Sequence, residues 1–290
     1  MTGELAFIEA LRALATHPGA RGFDDDAAVL DLGDQTLVLT HDAMAEGVHF
    51  LAGQDPADVA WKLVATNISD LAAKGAKPLG VLLGYQLGGD DARFLDGLKD
   101  ALDHYGAALL GGDTIGHNGP QTLGLTAIGV ATSRPVPSRA GAQVGHALWV
   151  TGALGAAMMG LEALRSGSGG SLAYRRPSAR LAEGLALAPQ VSAMMDVSDG
   201  LLLDASRMAR ASGVTLSIAS SAVPIAAPEP RRAEALRWGD DYELLFTLPA
   251  GTAPAVPATC IGTALPAGES AVLLDESPLS PGDMGGFTHS

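Results

Sequence analysis

A single long helix is predicted by residues 55–75, which read DPADVAWKLVATNISDLAAKG. Asp55 suits the N-cap of a helix, and Pro56 suits its first position, where no backbone N–H is needed. Apolar residues then recur at helical spacing through Leu63, and Gly75 is typical of a helix C-terminus. Strand-like runs flank this helix on both sides.

Asp70 is the most informative carboxylate in this helix. It lies three residues after Asn67 and seven after Leu63, so it shares a stripe with the apolar face. It also lies in the last turns, where the helix dipole disfavours an anion by a few tenths to about 1 kcal/mol. A charge placed against both burial and the dipole requires a cation nearby. The alternative is an aspartate at the edge of the stripe that reaches solvent.

The rest of the chain predicts two α+β halves. A second helix fits residues 91–105 and ends at Gly106. The Arg134-Pro135 step interrupts the pattern, and we divide the chain there into domains at residues 1–135 and 136–290. Strands are expected at 36–40, 80–87, 107–110, 122–131, 147–151, 214–218 and 242–248, and further helices at 156–165, 177–188 and 201–211.

Composition excludes several classes of protein. The chain has 290 residues, of which 47% are hydrophobic, so it is long enough for a real core. Its net charge of −14 argues against nucleic-acid binding, and no apolar run is long enough to span a membrane. No glycine-lysine phosphate loop occurs, which excludes an ordinary P-loop. Cys260 is the single cysteine, so no disulfide can form within the chain. The N-terminal residues do not have the pattern of a secretory signal. We expect a cytoplasmic protein without nucleic-acid or membrane partners.

Aspartates recur in short clusters, several of them beside glycine, and these are the clearest chemical signal in the chain. Carboxylates at turns and strand ends are hard oxygen ligands, suited to Mg²⁺ and to the phosphates that it carries. A nucleotide would therefore be held through metal. The clusters are Asp24-Asp25-Asp26, His41-Asp42, Asn67-Ile68-Ser69-Asp70, Gly111-Gly112-Asp113-Thr114, Asp196-Val197-Ser198-Asp199-Gly200 and Gly239-Asp240-Asp241-Tyr242.

The first two clusters have plain structural alternatives. Three adjacent carboxylates at residues 24–26 repel one another unless they are solvated or bound to metal, and an ordinary acidic turn would also explain them. Asp42 closes the predicted strand at 36–40. His41 and His49 lack the spacing of a zinc site, and we predict no zinc.

Two later clusters also have more than one interpretation. Gly111-Gly112-Asp113-Thr114 follows the predicted strand at 107–110, where glycines let backbone N–H groups approach a phosphate, although such turns are common. Asp199 comes just before the predicted helix at 201–211, so it can be a simple N-cap. Asp196 has no such explanation. Arg139 lies in the linker, where it can meet an anionic substrate or remain solvated.

In combination these motifs are far more specific than any one of them. The sequence resembles the thiamine-monophosphate kinase family, within the aminoimidazole ribonucleotide synthetase-like superfamily, over essentially its whole length. The motifs that carry the resemblance are Gly3-Glu4, Phe7-Ile8, Asp25-Asp26-Ala27-Ala28, Thr40-His41-Asp42, Gly47-Val48-His49-Phe50, Asp55-Pro56-Ala57-Asp58, residues 67–73, Gly111-Gly112-Asp113-Thr114, Asp196-Val197-Ser198-Asp199-Gly200 and Asp241-Tyr242-Glu243-Leu244.

The resemblance implies a two-domain α+β fold of the aminoimidazole ribonucleotide synthetase-like type. Its N-terminal mixed sheet would pair with a second copy in a homodimer, and an α/β C-terminal domain would complete the nucleotide and substrate sites. The implied activity is ATP-dependent phosphorylation of thiamine phosphate to thiamine diphosphate, the last step in making that cofactor. ATP, thiamine phosphate and Mg²⁺ are the implied small-molecule partners.

The resemblance also assigns roles to residues. The implied Mg²⁺ ligands are Asp26, Thr40, His41 (through its backbone carbonyl), Asp42, Asp70, Asp113, Asp196 and Asp199. The implied nucleotide contacts are Gly112, Asp113, Arg139 and Ser198, and the implied thiamine phosphate contacts are His49, Asp240 and Phe287. We expect the catalytic set to be Asp42, Asp70, Asp113 and Arg139.

Three positions depart from the family pattern. Asp24 stands where glycine is usual, Asp240 replaces glutamate, and Phe287 replaces tyrosine or tryptophan. Asp24 adds a carboxylate beside the expected metal site, and Asp240 shortens the reach towards substrate by one methylene. The ring of Phe287 retains stacking but has no hydrogen-bonding group. None of the three changes removes an expected metal ligand.

The implied reaction needs no general base, because the second pKa of a phosphate monoester is about 6 and the acceptor is largely deprotonated at neutral pH. We therefore predict direct in-line transfer, with Mg²⁺ and Arg139 reducing repulsion between two polyanions. Two alternatives stay open at this point. One is another ATP-using member of the superfamily, and the other is a sensor that binds nucleotide or divalent ions without catalysis.

Overall fold

The structure is a computed structural model that describes residues 4–286, so the predicted substrate residue Phe287 lies outside the described residues. None of the helices in this range is both long and apolar enough to cross a bilayer. The helices are α1 (Glu4–Arg12), α2 (Pro56–Ala73), α3 (Asp91–Tyr105), α4 (Ala156–Ser166), α5 (Leu172–Arg175), α6 (Leu181–Leu187), α7 (Leu201–Ser212) and α8 (Arg232–Ala235). The strands are β1 (Ala28–Leu32), β2 (Gln35–Ala45), β3 (Ala76–Gln86), β4 (Ala108–Ile115), β5 (Thr122–Ala131), β6 (Ala147–Val150), β7 (Ala193–Val197), β8 (Val214–Ile218), β9 (Glu243–Leu248), β10 (Thr259–Pro266), β11 (Val272–Leu274) and β12 (Ser277–Pro278).

The first sheet is mixed, as predicted for the N-terminal half. Among the described residues it has five strands in the order β1-β2-β5-β3-β4. All neighbours are antiparallel except β3 and β4, which run parallel because α3 connects them as a crossover. The α2 helix packs on β2, β5 and β3, while α3 lies beside α2.

The second sheet belongs to the C-terminal half. Within the described range it has seven strands in the order β12-β11-β8-β10-β6-β9-β7. Most of its pairs are antiparallel, but β11 and β8 are parallel. The β7 and β9 strands are buried along their whole lengths, and α7 packs on β7 and β8. The predicted combination of two α+β halves is therefore confirmed.

The α2 helix links the two halves. Besides the first sheet, it packs against α6 and β7 of the C-terminal half. Leu63, Val64, Ile68 and Leu71 are fully buried, and polar residues of the same helix are buried too, which is the pattern of a helix enclosed on several sides. The predicted N-cap is confirmed, since the Asp55 side chain accepts a hydrogen bond from the Ala57 N–H at 3.0 Å.

Three strands are longer than the sequence predicts, and one of them, β3, begins at Ala76 rather than at residue 80. The β2 strand continues to Ala45, so Asp42 lies inside it rather than at its end, because β5 pairs with β2 along this whole stretch. The β4 strand continues to Ile115, so Gly112 and Asp113 are strand residues rather than a turn. A Cβ atom on Gly112 would lie 1.9 Å from the Leu83 carbonyl oxygen, which explains this glycine by close approach of β3.

The expected helix at 177–188 is also corrected. It is shorter, forming α6 over Leu181–Leu187, and a separate turn, α5, precedes it. Pro177 lies between them, and proline disfavours the helical conformation at the residue before it. The helices α3 and α4 and the strands β5 and β8 lie within one residue of their predicted bounds.

We expect Leu63→Ala to reduce the free energy of unfolding by about 2–5 kcal/mol, because it leaves a cavity in the fully buried face of α2. Urea unfolding followed by circular dichroism measures this change. Leu95→Ala on α3, whose parent residue is 59% exposed, is the control and should change stability by less than about 0.5 kcal/mol. Equal effects of the two substitutions would contradict a core role for α2.

Candidate functional site

Three aspartates from distant parts of the chain meet where α2 ends. Asp26 precedes β1, Asp70 lies in the last turn of α2, and Asp196 lies in β7. A carboxylate oxygen of each lies within 4.8 Å of the others. We call these three residues the acidic cluster. It joins the N-terminal and C-terminal halves, because two of its members belong to the first half and one to the second.

The segment Asn67-Ile68-Ser69-Asp70 positions several groups of this site at once. The Ser69 hydroxyl donates a hydrogen bond to Asp196 Oδ2 at 2.7 Å. Asn67 Oδ1 accepts the backbone N–H of Asp42 at 3.1 Å and so fixes β2 against the helix. The Thr40 hydroxyl donates to Asp70 Oδ2. The polar residues in the apolar face of α2 are therefore explained by their contacts with the site.

The pKa values of the clustered carboxyls are raised by their surroundings. Burial, followed by repulsion from Asp42, Asp196 and Asp26, raises the pKa of Asp70 well above its ordinary value. Burial and the charge of Asp26 likewise raise the pKa of Asp196. Burial also raises the pKa of Asp42 to about 6, although His41 acts in the opposite direction. This enclosed space therefore holds more negative charge than it readily accommodates.

Asp26 has one oxygen available for a further partner. Its Oδ1 accepts a hydrogen bond from Arg139 Nε at 2.6 Å. Lys74 Nζ lies 2.7 Å from Oδ2, which is ion-pair distance, but the geometry is not that of a hydrogen bond. Within the described residues this buried Oδ2 has no hydrogen-bond partner. An unsatisfied carboxylate oxygen beside two other carboxylates fits the all-oxygen coordination that Mg²⁺ prefers.

Asp25 is bound by basic residues, so its carboxylate is not a free metal ligand. It accepts hydrogen bonds from Arg21 Nη1 at 2.5 Å and from Lys74 Nζ. Burial alone would raise the pKa of Asp25, but Lys74 and Arg21 outweigh it and lower the pKa to about 2. Lys74 was not predicted as a site residue, since a lysine near the end of a helix is usually solvated.

The extra carboxylate of Asp24 is not part of the acidic cluster. Its side chain is 56% exposed and pairs with Arg12, whose Nη2 lies 2.6 Å from Asp24 Oδ1. The preceding residues Arg21, Gly22 and Phe23 adopt positive φ angles, which turn the chain there. Asp24 therefore forms a surface ion pair and does not add a carboxylate to the expected metal site.

Asp199 is not the N-cap of α7. The backbone N–H groups of Asp199 and Gly200 donate to Asp204 Oδ2 at 3.0 and 3.1 Å instead. The Asp199 carboxylate pairs with Arg207 Nη1 at 2.5 Å. Its charge raises the pKa of Asp42, so it lies near the acidic cluster. Ser198 contributes its carbonyl oxygen to the Asp240 N–H at 2.8 Å, which ties this segment to the loop before β9.

The His41 side chain does not join the acidic cluster. Side chains alternate along β2, so Thr40 and Asp42 lie on the face covered by α2 while His41 lies on the opposite face. There its Nδ1 makes a hydrogen bond of 2.9 Å with Thr126 Oγ1. Only the backbone of His41 remains near the site, as the resemblance implies.

Asp113 is the clearest misplacement among the predicted ligands. Across the sheet, Asp113 pairs with Gly84, which pairs with Gly124, which pairs with Ala43 of β2. Asp113 therefore lies three strand spacings away from β2. Three interstrand spacings amount to about 14 Å, and the neighbouring row, which contains Asp42, points to the opposite face. Asp113 is exposed on the edge strand β4. Within one chain it therefore does not meet the acidic cluster, and neither does Gly112.

Asp240 lies on a different side of the site and is already paired. Its Oδ2 lies 2.7 Å from Lys62 Nζ, and its Oδ1 accepts a hydrogen bond from the Tyr242 hydroxyl at 2.8 Å. Lys62 is buried on α2, donates to the His49 carbonyl oxygen at 3.0 Å, and lies 4.0 Å from the centre of the Tyr174 ring. This lysine connects His49 with Asp240. Like Lys74, it was missed because helical lysines are usually exposed.

A cavity of about 300 Å³ adjoins Asp240. Its walls combine small apolar side chains with five charged residues. Arg180 and Glu243 face each other there at 2.5 Å. A cavity of similar size beside α7 and β8 contains none of the predicted site residues. The residues that line the cavity include Ala153, Ala156, Ala157, Arg176, Asp240 and Asp241.

Sequence models of the AIR synthase related protein family match the chain in two parts, the N-terminal domain at residues 24–131 and the C-terminal domain at residues 143–272. The thiamine-monophosphate kinase of Escherichia coli (strain K12) is 36% identical over 271 residues, which are 83% of each protein. That of Caulobacter vibrioides is 38% identical over 250 residues, covering 79% of this chain and 71% of the relative.

A solved structure of AaThiL complexed with AMPPCP and TMP has the same fold. Its TM-score with this chain is 0.88 at 30% sequence identity. The match covers 99% of this chain and 97% of that one. The likeness therefore includes both halves and their relative arrangement around α2.

The raised pKa values predict how stability depends on pH without metal. Because Asp42, Asp70 and Asp196 bind protons more tightly in the folded state than at their ordinary pKa of 3.8, stability falls as pH rises. For Asp42 the fall spans about pH 4 to 6, and the other two carboxyls extend it upwards. We expect Asp70→Asn to flatten this fall and to raise the melting temperature in EDTA at pH 7.5.

Melting temperatures in EDTA between pH 5 and pH 8 test this expectation. Asp34→Asn, which removes an exposed carboxylate outside the site, is the control for net charge. A wild-type profile parallel to that of Asp70→Asn would show that repulsion in the acidic cluster is negligible.

Proposed function

The chain belongs to the thiamine-monophosphate kinase family, and on that premise we propose that it transfers the γ-phosphoryl group of ATP to thiamine phosphate. The products are ADP and thiamine diphosphate, and the enzyme is a phosphotransferase acting in the cytoplasm at the last step of thiamine diphosphate synthesis. The observation that carries this proposal is the acidic cluster of Asp26, Asp70 and Asp196 at the junction of both halves. The solved relative binds AMPPCP and TMP in the same fold.

Mg²⁺ would be held by the acidic cluster together with Asp42 and the Thr40 hydroxyl. Asp199 would join this set after leaving Arg207. When bound, Mg²⁺ supplies positive charge that offsets the phosphate charges of the two substrates. The raised pKa values of Asp42, Asp70 and Asp196 support a role in binding cations, since a nearby cation stabilises the charged form of each carboxyl.

Arg139 provides fixed positive charge at the entrance of the cluster. Its side chain is 17% exposed and at present binds Asp26. The planar guanidinium binds phosphate as readily as carboxylate, so Arg139 would turn from Asp26 to the nucleotide. Ser198, beside Asp199, would contact the nucleotide from the C-terminal half. Both groups stabilise charge on the transferring phosphoryl group without accepting a proton.

Transfer would be direct, because the acceptor brings its own nucleophile. The terminal oxygen of thiamine phosphate is largely deprotonated at neutral pH, given a second pKa of about 6. No side chain in the acidic cluster is needed as a general base. Its residues would instead hold Mg²⁺, whose positive charge would allow the two polyanionic substrates to approach in line, as phosphoryl transfer requires.

The thiamine end of the acceptor would occupy the cavity beside Asp240. Its thiazolium ring is cationic, and a carboxylate with small apolar neighbours suits such a ring. Because Lys62 already pairs with Asp240, the arriving cation would share this carboxylate with the lysine. His49 would contact the acceptor from the N-terminal half, and Phe287 remains a predicted stacking partner.

A homodimer would explain the position of Asp113 on the sheet edge. The β4 strand is an uncovered sheet edge, and apolar side chains are exposed on it and on β3. They are Leu79, Leu82, Leu109, Leu110 and Ile115, each at least 40% exposed. Pairing of two sheets over this surface would bury them and carry Asp113 and Gly112 to the nucleotide site of the second copy. In this proposal Asp113 acts in trans.

We expect the wild-type protein to release ADP from Mg-ATP when thiamine phosphate is added, and not with thiamine or aminoimidazole precursors as acceptor. Asp70→Asn should lower kcat by about 100-fold or more, because it removes a central ligand of the acidic cluster. A coupled assay for ADP, run over a range of Mg²⁺ concentrations, measures both effects.

Asp34→Asn is the matched control and should retain wild-type turnover. ATP binding without ADP release from any acceptor would favour a sensor over an enzyme. Release with a different acceptor alone would assign the chain to another branch of the superfamily. A phosphorylated protein that forms and decays at the rate of turnover would contradict direct transfer.

The proposed action of Asp113 in trans predicts complementation. Asp113→Asn and Asp70→Asn homodimers should each be nearly inactive. A mixed dimer, however, contains one site in which both aspartates are intact, so mixing the two variants should restore up to about a quarter of wild-type activity, the share expected from random exchange of subunits. ADP release after subunit exchange in mild urea measures the recovery.

The control is a mixture of Asp70→Asn with Asp42→Asn, which lie in the same chain's site. In that mixture each site of a mixed dimer is altered at one of the two positions and neither site is intact, so no activity should be recovered. The decisive comparison mixes wild type with a double variant that carries both Asp113→Asn and Asp70→Asn in the same chain. Both sites of that mixed dimer are then impaired, whereas action in cis would leave one intact.

A further inference from the structure

Lys74 is a fully buried basic residue directly beside the acidic cluster. Its side chain is 0% exposed, and its ammonium group is shared between two carboxylates, Asp25 and Asp26. It also donates a hydrogen bond to the Met194 carbonyl oxygen at 3.3 Å, which lies in β7 of the C-terminal half. A buried lysine is rare unless it is paired, so its surroundings explain why it is tolerated.

The place of Lys74 in the fold keeps its side chain beside the acidic cluster. It is the C-cap residue of α2, where the partial negative charge of the helix end favours a cation. Ala73, directly before Lys74, is fully buried, and so is Ala76, two residues after it. The ammonium therefore cannot move into solvent without disturbing the packing between α2 and the two sheets.

Arg139 differs from Lys74 in this respect, although both face Asp26. The arginine belongs to the linker between the halves and is 17% exposed, so it can turn towards a nucleotide. Its departure would free Oδ1 of Asp26 as a second oxygen for coordination, in addition to the unsatisfied Oδ2. Lys74 would remain 2.7 Å from Oδ2 of Asp26 whichever oxygen binds the ion.

We propose that Lys74 is a positioning residue that acts as an internal counter-cation, holding Asp25 and Asp26 in place without metal and weakening the binding of a divalent ion at Asp26. This rests on the proposed function only in taking the acidic cluster as the metal site. Two cations that share one carboxylate repel each other, so the ammonium group of Lys74, held 2.7 Å from Asp26, lowers the affinity for the ion that binds there. The same ammonium stabilises the folded protein before the ion binds.

Lys74→Met tests the two effects together, because methionine is unbranched and of similar length but carries no charge. Arg21 still pairs with Asp25 in this variant, which favours folding. We expect a lower melting temperature than wild type in EDTA, a larger rise on adding Mg²⁺, and about tenfold tighter binding of Mn²⁺. Free Mn²⁺ is measured by electron paramagnetic resonance, and Mg²⁺ is measured by calorimetry, both without nucleotide.

Lys77→Met is the matched control, since Lys77 is exposed on β3 and its loss changes the net charge by the same amount. Its Mn²⁺ affinity should stay within twofold of wild type. If Lys74→Met alone does not fold, the double variant Asp25→Asn/Lys74→Met removes both members of the ion pair. Mn²⁺ should bind to it more tightly than to wild type as well.

The outcomes separate this inference from the proposed function. Tighter Mn²⁺ binding in the Lys74 variants, with Lys77→Met unchanged, would support it. Unchanged or weaker binding alongside a lower melting temperature would overturn it and leave Lys74 a purely structural residue. If wild type and all variants failed to bind Mn²⁺, both this inference and the metal site of the proposed function would be overturned.

Discussion

Repulsion between carboxylates that share a buried space is the constraint on which this structure depends. Three carboxylate oxygens of the acidic cluster lie within 4.8 Å of one another, and Asp42 adds a fourth negative group nearby. Such an arrangement folds only if cations offset the charge. Arg139, Lys74 and Arg207 occupy positions around it, each paired with an aspartate. The protein thus assembles an anionic site and the basic residues that make it tolerable at the same time.

The α2 helix positions the charged residues of both halves relative to one another. It is enclosed by the first sheet on one side and by α6 and β7 on the other, so its polar residues reach both halves. Lys62 near its start pairs with Asp240, while Asp70 and Lys74 at its end meet the residues around Asp26 and Asp196. One rigid element therefore sets the spacing between the proposed acceptor cavity and the acidic cluster. Binding sites on regular elements hold their geometry better than sites on loops.

Prediction from sequence succeeded where the signal was local. The cap at Asp55 and the end of α3 at Gly106 follow from short-range patterns, and both are confirmed. It failed where pairing between distant strands decided the outcome. Asp42 lies inside β2 because β5 extends the pairing, and Gly112 lies in β4 because β3 approaches closely. No local pattern contains either interaction.

The sequence by itself determined the two-part α+β organisation, the central helix and the set of aspartates. These features follow from local patterns, because the spacing of apolar residues and the carboxylates beside glycine can be recognised within short segments. Only the tertiary structure decided which of these aspartates meet. It brought Asp26 and Asp196 to Asp70, paired Asp24 with Arg12, and left Asp113 on an open sheet edge. Electrostatic interaction depends on distance and burial, and neither is fixed until strands far apart in the chain have paired.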